Sequence, residues 1–193
     1  EEYTLVAVAD HVTGTKPGNS VSNLSSTRAL ADITIKNGGK YYASAVGEVN
    51  VVEMMKEKNA VIGGEGNGGV IFPELHYGRD ALVGIALFLT YLANKKLKMS
   101  ELKSSFPQYT ISKNKLALTN STNIDLLLEK ISNKYKNVNQ NKIDGLKLEF
   151  ENEWVHMRKS NTEPIIRIYA ESQNEKSAHN LGERFVEELK SMI

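Results

Sequence analysis

Apolar residues recur along the chain with two different periods, and each change of period marks an element. Leu5, Val6, Val8, Ala9 and Val12 form the stripe of an amphipathic helix over residues 2–12. The turn-forming run Lys16-Pro17-Gly18-Asn19 stops it, and Ser20–Leu24 reads as a short strand. Ser25 or Ser26 is placed to cap a second helix, which buries Leu30 and Ile33 and ends at Asn37-Gly38-Gly39. Lys40–Val46 predicts a strand, Val49–Lys58 a helix, and Val61-Ile62 another strand that enters a glycine-rich loop. The run Val70-Ile71-Phe72 is extended and closed by Pro73. Residues 80–96 predict a helix that is apolar almost all round, which implies burial between layers. Strands alternating with helices predict an α/β domain with a mostly parallel or mixed sheet between helices.

A polar stretch at 95–107, with a short helical signal at Ser100–Ser105, separates this region from one patterned differently. Tyr109–Leu118 alternates as a strand does. Ile124, Leu127, Leu128 and Ile131 keep helical spacing within residues 123–135. Leu146–Phe150, Trp154–Arg158 and Ile165–Ala170 are strand-like, and the turn Glu151-Asn152-Glu153 makes the first two a hairpin. Ala178, Leu181, Phe185 and Leu189 lie on one stripe of a last helix. The pattern predicts a smaller α+β domain with an antiparallel sheet. The expected domains are residues 1–104 and 105–193.

A length of 193 residues accommodates both domains. The net charge of +1 provides no strong field to draw the chain to nucleic acid or to a membrane. The lysine-rich stretch at 95–103 holds no aromatic residue and that at 130–142 holds Tyr135 alone, short of the repeated interleaved aromatics of a nucleic-acid surface. The absence of cysteine excludes disulfides and thiolate metal sites, and a reducing, cytoplasmic compartment is expected. The longest apolar stretch, Ala81–Ala93, is shorter than the roughly 20 residues of a spanning helix. His11, His76, His156 and His179 are scattered without metal-ligand spacing. The chain opens at Glu1 without a methionine and runs at once into a helix, so a fragment of a longer protein is expected.

Two loops carry candidate chemistry. In Gly63-Gly64-Glu65-Gly66-Asn67-Gly68-Gly69, residues 64–69 match the glycine spacing of dinucleotide-binding turns. That reading needs a helix at the end of the loop, whereas an extended run follows, and Glu65 would put a carboxylate among anion-binding amides. The residues leave open a tight structural loop with a solvated glutamate. They equally suit a sugar: glycines let the backbone approach, Glu65 can accept from two neighbouring hydroxyls, and Asn67 can both donate and accept. In Arg158-Lys159-Ser160-Asn161-Thr162-Glu163-Pro164, a guanidinium, hydroxyls, an amide and turn backbone converge, and Arg167 follows shortly after. A plain polar hairpin loop and an anion site both fit. Alternation puts Ile166, Ile168 and Ala170 on one face of their strand and Arg167 with Tyr169 on the other.

Together these segments resemble the α-D-phosphohexomutase family, which includes phosphoglucomutases, phosphomannomutases and phosphoglucosamine mutases. Gly63–Gly69 is similar to the sugar-binding loop of the family's third domain, and Arg158–Pro164 to the phosphate loop of its fourth. The signature Gly-Gly-Glu-Gly-Asn-Gly-Gly-Val-Ile followed by Gly78-Arg79-Asp80 looks most like archaeal-type members, many assigned to phosphoglucosamine mutase. The resemblance implies that Gly64, Glu65, Gly66 and Asn67 bind sugar hydroxyls. It implies that Arg158, Ser160, Asn161, Thr162 and Arg167 bind phosphate. The run Val46-Gly47-Glu48-Val49-Asn50 resembles a further family loop, but lacks the basic residue many members carry near 49 or 50. The family's phosphoserine and its Mg²⁺-binding Asp-rich loop have no counterpart here. The resemblance therefore implies a substrate-recognition fragment of a hexose phosphate mutase, inactive alone, with Mg²⁺ held by N-terminal domains of the same protein. The contrasting possibility is a free-standing, non-catalytic sugar- or anion-binding module.

Overall fold

The computed structural model describes residues 2–118, 123–160 and 162–193. The chain divides into two compact units, Glu1–Gln108 and Tyr109–Ile193. The helix Met99–Ser104 and the turn to Pro107 go with the first unit, where the Tyr3 hydroxyl donates to the Pro107 carbonyl and the Tyr3 ring stacks on Phe106.

The first unit runs α1 (Glu2–Thr15), β1 (Asn19–Asn23), α2 (Ala29–Lys36), β2 (Tyr41–Ser44), α3 (Glu48–Glu57), β3 (Ala60–Glu65), β4 (Gly69–Ile71), α4 (Ala81–Lys95) and α5 (Met99–Ser104). Its sheet has the order β2-β1-β3-β4. Strand β1 is parallel to both β2 and β3, and β4 is antiparallel to β3. The sheet is therefore mixed and mostly parallel. Successive residues Ser20, Val21 and Ser22 of β1 are all fully buried, as a central strand covered on both faces requires. Val51 and Met55 of α3 pack on Val21, Ala60 and Ile71 of the sheet.

Two sequence expectations are corrected in this unit. Ser25 and Ser26 do not cap α2. The Ser25 amide and the Ser26 hydroxyl donate to Asn23 Oδ1, so these residues form a turn that closes β1, and the helix begins at Ala29. Helix α4 is not enclosed between layers. Only Gly84 and Tyr91 are buried, while Leu82, Ile85 and Leu89 are 78, 55 and 54% exposed. One stripe satisfies the packing: Val70 lies against Gly84, the Tyr91 ring stacks on His11, and the Tyr91 hydroxyl donates to Asp10. Burial first, and then the Asp10 contact, raise the Tyr91 phenol well above its usual range.

The second unit runs β5 (Thr110–Ala117), α6 (Ile124–Lys134), β6 (Asn139–Asn141), β7 (Leu146–Glu149), β8 (Trp154–Lys159), β9 (Ile165–Ser172) and α7 (Glu175–Lys190). Its sheet, ordered β5-β9-β8-β7-β6, is antiparallel throughout. Val155, Met157, Ile166 and Ile168 of one sheet face pack with Ile131 of α6 and Phe185 of α7. Strand β6 was not expected. Asn139-Gln140-Asn141 has no apolar alternation, and it is held by pairing with β7 and by Gln140, which donates to the Ser132 and Tyr135 carbonyls. Among the described residues no helix is long and apolar enough to cross a membrane.

Candidate functional site

The glycine loop is the turn of the β3–β4 hairpin, with Glu65 paired to Gly69 and the Gly68 amide donating to the Glu65 carbonyl. Gly68 has φ +89°, a conformation that excludes most side chains. Gly64, Glu65 and Gly66 are buried, and Asn67 is exposed. The Gly66 amide donates to Ser26 Oγ, and a Cβ on Gly66 would strike the Glu2 carboxylate. Gly64 packs against the Gly69 carbonyl. The two glycines thus form the floor of the loop, while Glu65 and Asn67 supply its side chains. Asn67 Oδ1 accepts from the Gly69 amide, which fixes the side chain over the turn.

Glu65 is 7% exposed and held from two sides. Asn23 Nδ2 donates to Oε1 at 3.0 Å, and Arg79 Nη1 donates to Oε2 at 3.2 Å. Arg79 is anchored in turn by Glu48, which accepts from its amide and from its Nε, each at 2.9 Å. The Arg79 amide and then its guanidinium hold the Glu48 carboxyl below the usual carboxylate range. Asp80 caps α4 by accepting from the Leu82 and Val83 amides, and His76 Nε2 lies 3.1 Å from its other oxygen. Asn23, Glu48 and Arg79 were not expected at the site. Arg79 has a sequence signal in Gly78-Arg79-Asp80 and Glu48 one in Val46-Gly47-Glu48-Val49-Asn50, whereas Asn23 has none; the fold alone joins Asn23 to Glu65 directly and Glu48 to it through Arg79.

The second loop joins β8 and β9. Arg158 and Arg167 are direct cross-strand partners, so their side chains leave the sheet on the same face. Like charges in that relation repel unless an anion lies between or beside them. Arg167 has Glu163 at 3.6 Å and donates from Nη1 to the Tyr169 hydroxyl at 3.4 Å. Arg158 Nε is buried and has no hydrogen-bond partner among the described residues. Ser160 is 3% exposed, its amide donates to the Ile165 carbonyl, and its hydroxyl lies 3.5 Å from both the Thr162 amide and hydroxyl. Asn161 lies outside the described residues. The loop therefore gathers Arg158, Ser160, Thr162 and Arg167 at one end of the antiparallel sheet.

Residues 1–109 match the family model described as phosphoglucomutase/phosphomannomutase, alpha/beta/alpha domain III. Residues 116–188 match the model described as phosphoglucomutase/phosphomannomutase, C-terminal domain. The chain is 35% identical over 192 residues to a phosphoglucomutase/phosphomannomutase of Thermococcus kodakarensis, covering 97% of this chain and 42% of that protein. It is 34% identical over 175 residues to a phosphoglucosamine/phosphogalactosamine mutase of Sulfurisphaera tokodaii, covering 90% of this chain and 38% of that protein. A crystal structure of a phosphoglucomutase/phosphomannomutase family protein from Burkholderia thailandensis aligns with a TM-score of 0.81 at 25% identity, covering 98% of this chain and 41% of that one. The chain spans about two fifths of the length of these relatives. One family model takes in more than half of the chain and a second takes in most of the rest, and the chain belongs to the phosphoglucomutase/phosphomannomutase family, the α-D-phosphohexomutases.

Proposed function

We propose that this chain is the substrate-recognition part of an intramolecular phosphotransferase, one that interconverts hexose 1-phosphate and hexose 6-phosphate through a bisphosphate intermediate. The names of its relatives favour phosphoglucosamine mutase or phosphoglucomutase/phosphomannomutase as the activity. The observation that carries the reading is the Arg158–Arg167 pair: two guanidiniums on one sheet face, with a buried Arg158 Nε–H that no described residue accepts. A phosphate supplies the missing acceptor and adds to the single negative charge that Glu163 places beside the two guanidiniums. Ser160, Asn161 and Thr162 contribute hydroxyl and amide donors beside it. Glu65 accepts hydrogen bonds from ring hydroxyls, Asn67 donates or accepts at the loop tip, and Gly64 and Gly66 keep the loop thin beneath them.

In this reading none of these residues attacks phosphorus or carries its proton. Their share of phosphoryl transfer is orientation of the substrate, and alone they turn over no hexose phosphate. Among the described residues no group of three or more His, Asp or Glu side chains could hold a metal ion. The described residues offer no set that fits Mg²⁺, and Mg²⁺ and the phosphoserine are assigned here to the part of the relatives that this chain does not span. A cytoplasmic location suits a chain without cysteine. Isothermal titration with inorganic phosphate and with glucose 1-phosphate tests the assignment. Arg158→Ala is expected to weaken binding of both by about 1.5–3 kcal/mol, the scale of a hydrogen bond to a charged group. Wild-type affinity in that variant would remove Arg158 from the phosphate site.

A further inference from the structure

We infer that Arg79 is a positioning residue of the sugar-binding loop, setting the Glu65 carboxylate in the orientation that receives ring hydroxyls. The inference rests on the role proposed for Glu65. A carboxylate offers about four acceptor positions. In Glu65 one position on each oxygen is taken, by Asn23 on one side and by Arg79 on the other. The carboxylate plane is thereby locked, and the remaining acceptor positions have fixed directions. Asn23 is itself rigid, because it ends β1 and its Oδ1 accepts from both the Ser25 amide and the Ser26 hydroxyl.

Arg79 is held as firmly. Glu48, the first residue of α3, takes its amide on one oxygen and its Nε on the other. Gly69 leaves the path open: a Cβ there would stand 2.6 Å from Arg79 Cδ. The guanidinium then serves two carboxylates from two edges of one plane, which a lysine ammonium cannot reproduce with fixed geometry. Its Nη2 makes no hydrogen bond among the described residues, and the side chain is 42% exposed. A residue that merely tied the loop to α3 would affect stability independently of Glu65. A positioning residue loses its effect once Glu65 can no longer act.

The test follows the amide signals of residues 65–69 while the full chain is titrated with glucose 1-phosphate. Arg79→Gln and Glu65→Gln are each expected to weaken binding about tenfold. The double variant should be no weaker than Glu65→Gln alone by more than about twofold, because the two residues act as one unit. Arg79→Lys should not restore affinity. Affinity for inorganic phosphate should be unchanged throughout. Wild-type affinity in Arg79→Gln, or fully multiplying losses in the double variant, would overturn the inference while leaving the role of Glu65 intact. Should Arg79→Gln fail to fold, Glu48→Gln carries the test, since it keeps Arg79 and Glu65 but frees the guanidinium. A loss of about threefold is expected there, and no loss overturns the inference. Wild-type affinity in Glu65→Gln, or no binding by the wild-type chain, would remove the sugar-loop reading and this inference with it.

Discussion

His156 illustrates what a single residue contributes beside the phosphate loop. It sits on β8 two residues before Arg158, 1% exposed, and its Nε2–H donates to the Asp144 carbonyl at 2.7 Å. Burial pushes its imidazole down to about 4; the Asp144 contacts oppose that, and the Lys147 and Arg158 charges reinforce it. The folded state therefore keeps His156 neutral where the unfolded chain, titrating near 6.5, binds a proton. Stability from this group is complete above about pH 6.5 and is lost as pH falls toward about 4, by on the order of 3 kcal/mol in all. Urea unfolding at pH 6.5 and at pH 5, where few carboxylates have protonated, should show the decline in wild type. His156→Gln should lessen it, and an identical decline in that variant would place the effect elsewhere. At this scale the sequence was legible for chemistry. Arg167 and Tyr169 stand opposite the buried Ile166, Ile168 and Ala170, as strand alternation predicts from local geometry, whereas the pairing of Arg167 with Arg158 is set by the register of two strands. The neutrality of His156 was not legible, since it depends on burial and on charges from β7 and the loop before it.

At the scale of elements, termini decide more than propensities. Asn174 caps α7 by accepting from the Ser177 amide at 2.9 Å, and the helix lays Leu181, Phe185 and Leu189 on the sheet that carries the phosphate loop. Asn174→Ala should cost roughly 1 kcal/mol, read as a lower denaturant midpoint with an unchanged slope. A capping role would be wrong if the midpoint did not move. Asp80 does the same at α4, and the Val83 amide and then His76 lower its carboxyl below the usual range. Where a cap residue competes with a turn, sequence alone misjudges. Ser26 is drawn away from α2 by Asn23 and by the Gly66 amide, a partner forty positions later. The burial of α4 was misjudged for a related reason. Apolar residues all round a helix say that it tolerates covering, and only the surrounding elements determine how many stripes are covered.

For the whole molecule, each unit has its own sheet and its own packed cluster. Residues 109–193 expressed alone should give a dispersed amide spectrum and one cooperative unfolding transition, because β5–β9, α6 and α7 close their core without the first unit. A collapsed spectrum would show that the core needs more than this unit provides. The sequence by itself determined the class of both units, nearly all their elements and both loop motifs. Those features are written in short-range periodicity and in residue types whose chemistry is local. Only the tertiary structure decided that β4 runs antiparallel beside β3, that Asn139–Asn141 forms an edge strand, and that Asn23, Glu48 and Arg79 meet around Glu65. Each of these joins residues from different elements, and such pairings are selected by the free energy of packing and of satisfying buried polar groups.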